Sequence, residues 1–591
     1  LGKEIFDFSP EEHRTELVPL LQDIVRNLGL EKVPLSSLTR RHPKRGGGFF
    51  SKAQLVQGFR YFAPEHEWGD QERAFLSVVR MKPVRTLSGV APVTVLTRPF
   101  PCPGQCIFCP NDVRMPKSYL ANEPGAQRAG QFRFDPYLQT MNRLRALHTI
   151  GHSVDKVELI VLGGTWSFYP EPYQIWFIKR CFDAMNAFRP GIGDPEKDGW
   201  MELPLYSDID DSDSFRGGDR NYNEVVTSYL KARLGGRTTH TGETADWSDL
   251  EAVHAENESA YARCVGLVLE TRPDHISQDE VIRLRRLGAT KVQIGIQSLS
   301  DEILRINKRG HDTAATRRAF ALIRQAGFKI HAHWMPNLYG ATPERDREDY
   351  GRLFDDLAIR PDELKIYPCS LIESAELMGY YERGLWRPYE GDELVALLAD
   401  CVERTPEYCR LTRIIRDIPG TDIVVGNKLT NLREEVDDLL RRRQRQSRDI
   451  RAREVRSLDF DPADVRLTRV VYETSVGEEV FLQFVTGRDR LIGFLRLSLP
   501  ARQVFVEEIS SSAMIREVHV YGALAGIGER DRDKRQHRGF GRRLVDEAAR
   551  LAADAGFTDL AVVSAIGTRA YYRGLGFQDG LMYQHLRLVR R

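Results

Sequence analysis

The chain has 591 residues, 41% of them hydrophobic, with 85 basic and 84 acidic side chains. That length allows roughly three or four domains, and no apolar run approaches the roughly 20 residues of a membrane-spanning helix. A formal charge of +1 excludes any case for a nucleic-acid ligand from bulk charge, so such a ligand needs a local basic surface.

Residues Leu1 to Pro10 lack the basic start and apolar stretch of a secretion signal, and a cytoplasmic location is expected. Residues 1–90 read as helical, with Leu17, Leu20, Leu21, Ile24, Val25 and Leu28 on one stripe. Basic residues then gather at Arg40, Arg41, Lys44, Arg45, Lys52 and Arg60, interleaved with Phe49, Phe50, Phe59, Tyr61 and Phe62. Cations neutralise phosphate and aromatic rings stack on unpaired bases; a solvated surface is the plainer reading of the same run.

From 91 to 370 short β-branched runs alternate with helical segments. Strands are expected at Val93–Thr97, Val157–Leu162, Val265–Leu269, Val292–Ile296, Lys329–His333 and Leu364–Tyr367. This rhythm predicts an α/β fold, a partial (β/α)6 barrel of the TIM type, with its site at the C-terminal strand ends. Residues 191–262 interrupt it with Asp208, Asp210, Asp211 and Asp213, and read as an acidic, partly disordered surface insertion. A connector, 371–464, carries the charged run Arg441–Arg456, and a separate α/β domain follows over 465–591.

Eight cysteines are too sparse for a disulfide framework, and three of them, Cys102, Cys106 and Cys109, fall in a CxxxCxxC loop after the first strand. Thiolates in that pattern suit a 4Fe–4S cluster whose fourth iron stays open to S-adenosylmethionine. Zinc is the alternative, but a structural zinc site wants four ligands and no fourth lies adjacent. Gly163, Gly164 and Thr165 end the second strand, where glycine permits close backbone approach to a cofactor. Glu270, Arg272 and Gln297 end the third and fourth strands and are candidates for ribose or carboxylate contacts, or for a salt-bridged rim.

In the last domain Glu517, Val518, His519 and Val520 lie on a predicted strand. Gln536, Gly539, Phe540, Gly541 and Arg542 then form a turn that opens a helix. Successive N–H groups at a helix N-terminus bind pyrophosphate. With Tyr571-Tyr572-Arg573-Gly574-Leu575-Gly576-Phe577, this pattern resembles the Gcn5-related acetyltransferase (GNAT) fold; Tyr572 is a candidate to hydrogen-bond the sulfur of acetyl-CoA, with a packed core tyrosine as the plainer reading.

A radical SAM domain followed by an acetyltransferase domain resembles the family of the Elongator catalytic subunit in its stand-alone prokaryotic form. The resemblance rests on Arg98–Leu120, Gly151–Thr165, Glu270–Asp274, Ile366–Pro368, Arg413–Pro419 and the segments 515–522, 536–541 and 564–577. It implies Cys102, Cys106 and Cys109 as cluster ligands, Lys156 as a coenzyme A contact, and Glu517–Val520, Phe540–Arg542 and Tyr572 around acetyl-CoA. It also implies a tRNA anticodon stem-loop as partner, gripped by the N-terminal basic region and the barrel face, with Lys117 an additional candidate contact. The implied reaction draws on a SAM-derived radical, an acetyl-CoA methyl group and carbon 5 of the wobble uridine. A protein lysine acetyltransferase with a structural cluster is the rival. An external electron donor is required, and either a monomer or a homodimer fits. Unlike many members, the connector segment Ser447–Glu454 has no cysteine, so no zinc is expected there; Cys369, Cys401 and Cys409 read as buried thiols.

Overall fold

The computed structural model describes residues 8–29, 33–45, 47–81, 86, 88–190, 221–234, 242–429, 431–455, 460–521 and 539–589. Near the N-terminus, helices α1 (Arg14–Arg26), α2 (Leu35–Arg41), α3 (Lys52–Phe62) and α4 (Glu72–Val79) enclose a core of their own. The predicted stripe supplies it: Leu17, Leu20, Leu21 and Ile24 of α1 are buried against Leu55, Phe59 and Phe75. Ser51 and Gln54 cap α3 reciprocally, satisfying amides that the first turn leaves free. Arg60 bonds Glu72 within this unit and ties it to the next through the carbonyl of His148, both at 2.7 Å.

Six strands form where the apolar runs predict them: β1 (Ala91–Leu96), β2 (Lys156–Leu162), β3 (Arg263–Thr271), β4 (Lys291–Gln297), β5 (Lys329–Trp334) and β6 (Glu363–Ile366). They are parallel and lie in chain order. A seventh, β7 (Arg410–Arg413), pairs with β6, so the sheet is a seven-stranded partial barrel and not the six-fold one expected. Its sequence is Arg-Leu-Thr-Arg, with only Leu411 buried, and that polarity conceals a strand inside a charged connector.

Part of the segment 191–262, read as an acidic and partly disordered insertion, is described. Asp208, Asp210, Asp211 and Asp213 lie outside the described residues, but two helices follow them, α5 (Tyr222–Leu234) and α6 (Trp247–Asn257). Tyr222, Val226, Leu230 and Leu234, spaced every four residues, are buried on one face of α5. This part of the insertion is packed structure.

Among the described residues the second sheet has the order β13-β14-β12-β11-β10-β9-β8. Its strands are β8 (Arg466–Glu473), β9 (Gly477–Val485), β10 (Leu491–Pro500), β11 (Ala513–Val520), β12 (Asp559–Val562), β13 (Gln578–Asp579) and β14 (Gln584–Arg587). All neighbours are antiparallel except β11 and β12. A helix α7 (Phe540–Asp554) packs on β9, β10 and β11.

This sheet docks on the N-terminal ends of the barrel strands through buried charge. Asp362, just before β6, accepts from Arg516 of β11 at 2.6 and 2.8 Å and lies 3.4 Å from Arg496 of β10. Arg516 also bonds Glu479 at 3.0 Å and the carbonyl of Phe328 at 2.8 Å. Burial pushes the Asp362 carboxyl up, but the two guanidiniums outweigh it and hold the group well below the usual carboxylate range. Removing one partner of such a pair strands the other in low dielectric. Arg516→Met is therefore expected to destabilise the protein by about 3–5 kcal/mol, read as a lowered urea midpoint.

A second charged pair gives a pH signature. His585 of β14 sits 2.9 Å from Asp559 and 3.3 Å from Glu508. Those hydrogen bonds raise the imidazole to about 9, against an ordinary value of about 6.5. A raised folded-state value adds stability that is fully present below the unfolded value and is lost as pH rises through the folded one. The excess stability of wild type over His585→Gln should be greatest below about pH 6.5 and vanish above about pH 9, as measured by urea unfolding across that range.

Candidate active site

The three-cysteine loop begins where β1 ends and lies over the C-terminal ends of the barrel strands. Its two later thiols form a pair. A hydrogen bond with Cys109 and the charges of Arg309 and Arg272 outweigh burial and hold the Cys106 thiol well below the usual range, whereas the same bond and burial push Cys109 up. Arg309 Nη1 lies 3.4 Å from Cys106 Sγ, and Ser118 Oγ lies 3.2 Å from Cys109 Sγ. Cys102 Sγ sits 3.8 Å from Thr165 Oγ1.

Strand ends position the remaining candidates. Gly163 has φ +133°, and a Cβ there would stand 1.9 Å from Thr97 Oγ1, so the close pairing of the chain just past β1 and β2 excludes any side chain. Glu270 ends β3 facing the barrel interior, accepts from Tyr119 at 3.2 Å, and is raised by burial. Arg272 grips Asp274 through two bonds of 2.8 and 3.0 Å and the carbonyl of Arg309 at 2.6 Å. Its buried Nη1 has no hydrogen-bond partner among the described residues. Gln297 ends β4 at φ +66°, a conformation that non-glycine residues rarely adopt, with its buried Oε1 also without a partner.

Below the loop, a cavity of about 890 Å³ follows the barrel lumen. One end is lined by Cys109, Ser118, Tyr119, Glu270 and Gln297, and the other by Glu517, Val518, His519 and Tyr572 of the second sheet and its following segment. Between them inward-facing His331, His333, Gln293 and Lys365 make the passage polar. Lys365 donates to Gln293 at 2.6 Å, and burial lowers its amine to about 8. Strands of six or seven residues rise about 3.3 Å per residue, so the two ends stand roughly 20 Å apart.

At the far end Glu517 belongs to the junction: Arg496 donates to it at 2.9 Å and Lys329 of β5 also pairs with it. His519 lies between Phe494 and Tyr521, with ring centroids 5.8 and 4.4 Å away, and burial lowers it to about 4. Tyr572 is buried against Phe577. Gly539 precedes α7, Phe540 packs on Phe484, and Arg542 is exposed; Gln536 lies outside the described residues. Lys156 opens β2 beside Arg263 and is not among the residues lining the lumen.

Of the candidate RNA contacts, Arg40, Arg41, Arg45 and Lys52 are exposed, and Lys44 lies 5.3 Å over the Phe50 ring. Phe49 and Tyr61 are about half exposed beside them. Lys117 is different. It is buried in the cysteine loop, bonded to Asn111 and 4.8 Å over the Tyr222 ring, and so is not a surface cation. Cys369, Cys401 and Cys409 are buried thiols, all raised by burial. Sequence reasoning missed Arg309 and Asn223, since both act on the loop from more than 100 residues away.

A parallel partial barrel with a cysteine loop after its first strand is the architecture of a radical SAM protein. The family models agree: "Radical SAM superfamily" matches residues 223–353 and "Radical_SAM C-terminal domain" matches 361–442. Proteins named tRNA uridine(34) acetyltransferase from Methanocaldococcus infernus and Dehalococcoides mccartyi are each 36% identical to this chain. They align over 86% and 85% of it, and over 88% and 99% of their own lengths. The human Elongator complex protein 3 is 32% identical over 90% of this chain and 89% of its own. The solved structure of archaeal Methanocaldococcus infernus Elp3 with an N-terminal deletion has a TM-score of 0.65 and 33% identity, covering 85% of this chain and 99% of that one. The chain belongs to this family of tRNA uridine(34) acetyltransferases and Elongator complex protein 3.

Membership of the radical SAM class implies a 4Fe–4S cluster and S-adenosylmethionine. The residues present fit them: three thiols share one loop, and two guanidiniums offset their charge. The unpartnered Arg272 Nη1 and Gln297 Oε1 remain for ligand contacts. Gly163→Ala is expected to weaken S-adenosylmethionine binding at least tenfold, roughly the loss that a misplaced cofactor loop costs, as measured by equilibrium dialysis on the reconstituted protein.

Proposed function

We propose that this chain forms a carboxymethyl group on carbon 5 of the wobble uridine of tRNA, with acetyl-CoA held by the second sheet as a Gcn5-related acetyltransferase domain. The observation that carries the reading is the continuous lumen, which joins the cysteine loop to that sheet. Support for the acyl site comes from β11: among the described residues it pairs with β12 only over Ala513–Ile515, though it runs on to Val520. The edge beyond keeps backbone groups available for an extended amide arm. Gly541, where a Cβ would stand 2.7 Å from the Tyr571 hydroxyl, keeps the start of α7 open for pyrophosphate.

A bound cluster with S-adenosylmethionine supplies the one-electron chemistry that an unactivated methyl requires. The chain does the rest. Cys102, Cys106 and Cys109 hold the cluster; Gly163, Gly164, Thr165, Glu270, Arg272 and Gln297 surround the cofactor. Tyr572 and β11 hold the thioester, and Lys156 steadies coenzyme A at the start of β2. The polar lumen positions the acyl group and limits access of bulk water. Exposed Arg40, Arg41, Arg45 and Lys52, with the partly buried Lys44 and with Phe49 and Tyr61, grip the anticodon stem-loop. Acetylation of protein lysines would require no passage to the cysteine loop.

Reduced, reconstituted protein incubated anaerobically with tRNA, S-adenosylmethionine and methyl-labelled acetyl-CoA should place label on the wobble uridine. Cys106→Ala should abolish the label while sparing acetyl-CoA binding. Label on protein lysines alone, with an intact cluster, would refute the proposal.

A further inference from the structure

The first cysteine of the loop is held from outside the barrel. Asn223, at the start of α5, donates from Nδ2 to the Cys102 carbonyl at 2.7 Å and accepts from the Cys102 amide at 2.8 Å through Oδ1. Only a carboxamide offers donor and acceptor side by side for both groups of one residue. The later part of the loop is pinned differently. The Ile107 amide reaches the Asn307 carbonyl at 3.3 Å, the Leu377 amide reaches the Ile107 carbonyl at 2.8 Å, and Asn111 is tied to Ser374 by two bonds. These anchors come from barrel segments, whereas Cys102 depends on the inserted helix.

That helix is firmly seated. Tyr222 donates to the Met115 carbonyl at 2.8 Å, on the far side of the cysteines. Val226 and Leu230 pack into an apolar cluster with Leu96 and Met115. Helix α5 therefore touches the loop at its first cysteine and after its last, and carries a side chain that fixes the Cys102 backbone.

We propose that Asn223 is a positioning residue for the iron–sulfur cluster, and that α5 belongs to the cluster site. Its task is to hold the Cys102 backbone in place so that three thiolates, not two, stay on the metal. The inference rests on the radical SAM class of the chain and is independent of the RNA substrate.

The test uses the full chain, reconstituted anaerobically, with Asn223→Ala, which removes both bonds, and Asn223→Asp, which keeps the acceptor alone. Iron release to a chelator is followed by absorbance, and the reduced cluster by electron paramagnetic resonance with and without S-adenosylmethionine. Asn223→Ala should lose iron about 10- to 100-fold faster, the range typical for partners of metal ligands. Asn223→Asp should fall between it and wild type, and the resonance shift on adding S-adenosylmethionine should shrink in the same order. Should Asn223→Ala not fold, Asn223→Asp alone decides: iron release at the wild-type rate overturns the proposal. A lowered urea midpoint of the iron-free protein with unchanged iron release also overturns it, because the side chain would then serve only the fold.

Discussion

Asp362 is the point on which the two halves of this protein turn. A carboxylate with no exposure costs several kcal/mol to bury unless it is fully matched, and here the matching groups come from the other sheet. Arg516 and Arg496 supply the charge, while the amide of Ile330 donates to the same carboxylate at 2.9 Å from within the barrel. The barrel therefore satisfies its own buried acid only by carrying the second sheet. Nearby Glu517 and Lys329 extend the contact, and Lys329, Lys291 and Glu363 continue it across the first residues of three strands. One face of the second sheet is thereby set against the lower end of the lumen.

That arrangement explains why one cavity reaches from the cysteine loop to the second sheet at the opposite barrel end. Parallel strands put their C-terminal ends on one side, where the cysteine loop lies, and the charged junction fixes the second sheet on the other. The lumen between is lined by His331, His333, Gln293 and Lys365, residues that an ordinary barrel core would replace with Val, Ile or Leu. Packing is given up there for a route.

Much of this was legible in the residues. The cysteine spacing, the glycines after β2 and all six β-branched runs mark their elements, because barrel strands packed against helices carry a strong apolar signature. β7 escaped because a strand of four residues with two arginines has no such signature, and its place is fixed by Glu454 and Asp449 from further along the chain. The helix α5 did have a signal, an apolar residue at every fourth position from Tyr222 to Leu234, but the acidic run before it masked the period. Lys117 is offered by the resemblance as an RNA contact; only the fold reveals the Tyr222 ring beneath it. Arg309 and Asn223 were beyond reach, since no local pattern announces a contact with a cysteine so distant in sequence.

The charged seam between the sheets also bears on how such a chain can be divided. Cutting before β8 would leave Arg496, Arg516, Glu479 and Glu517 facing water on one fragment, and an uncompensated Asp362 on the other. Neither piece would present the surface it has in the whole. The half that carries the second sheet is thus not a detachable module: to graft it onto another barrel, the acids and lysines at the strand starts would have to travel with it.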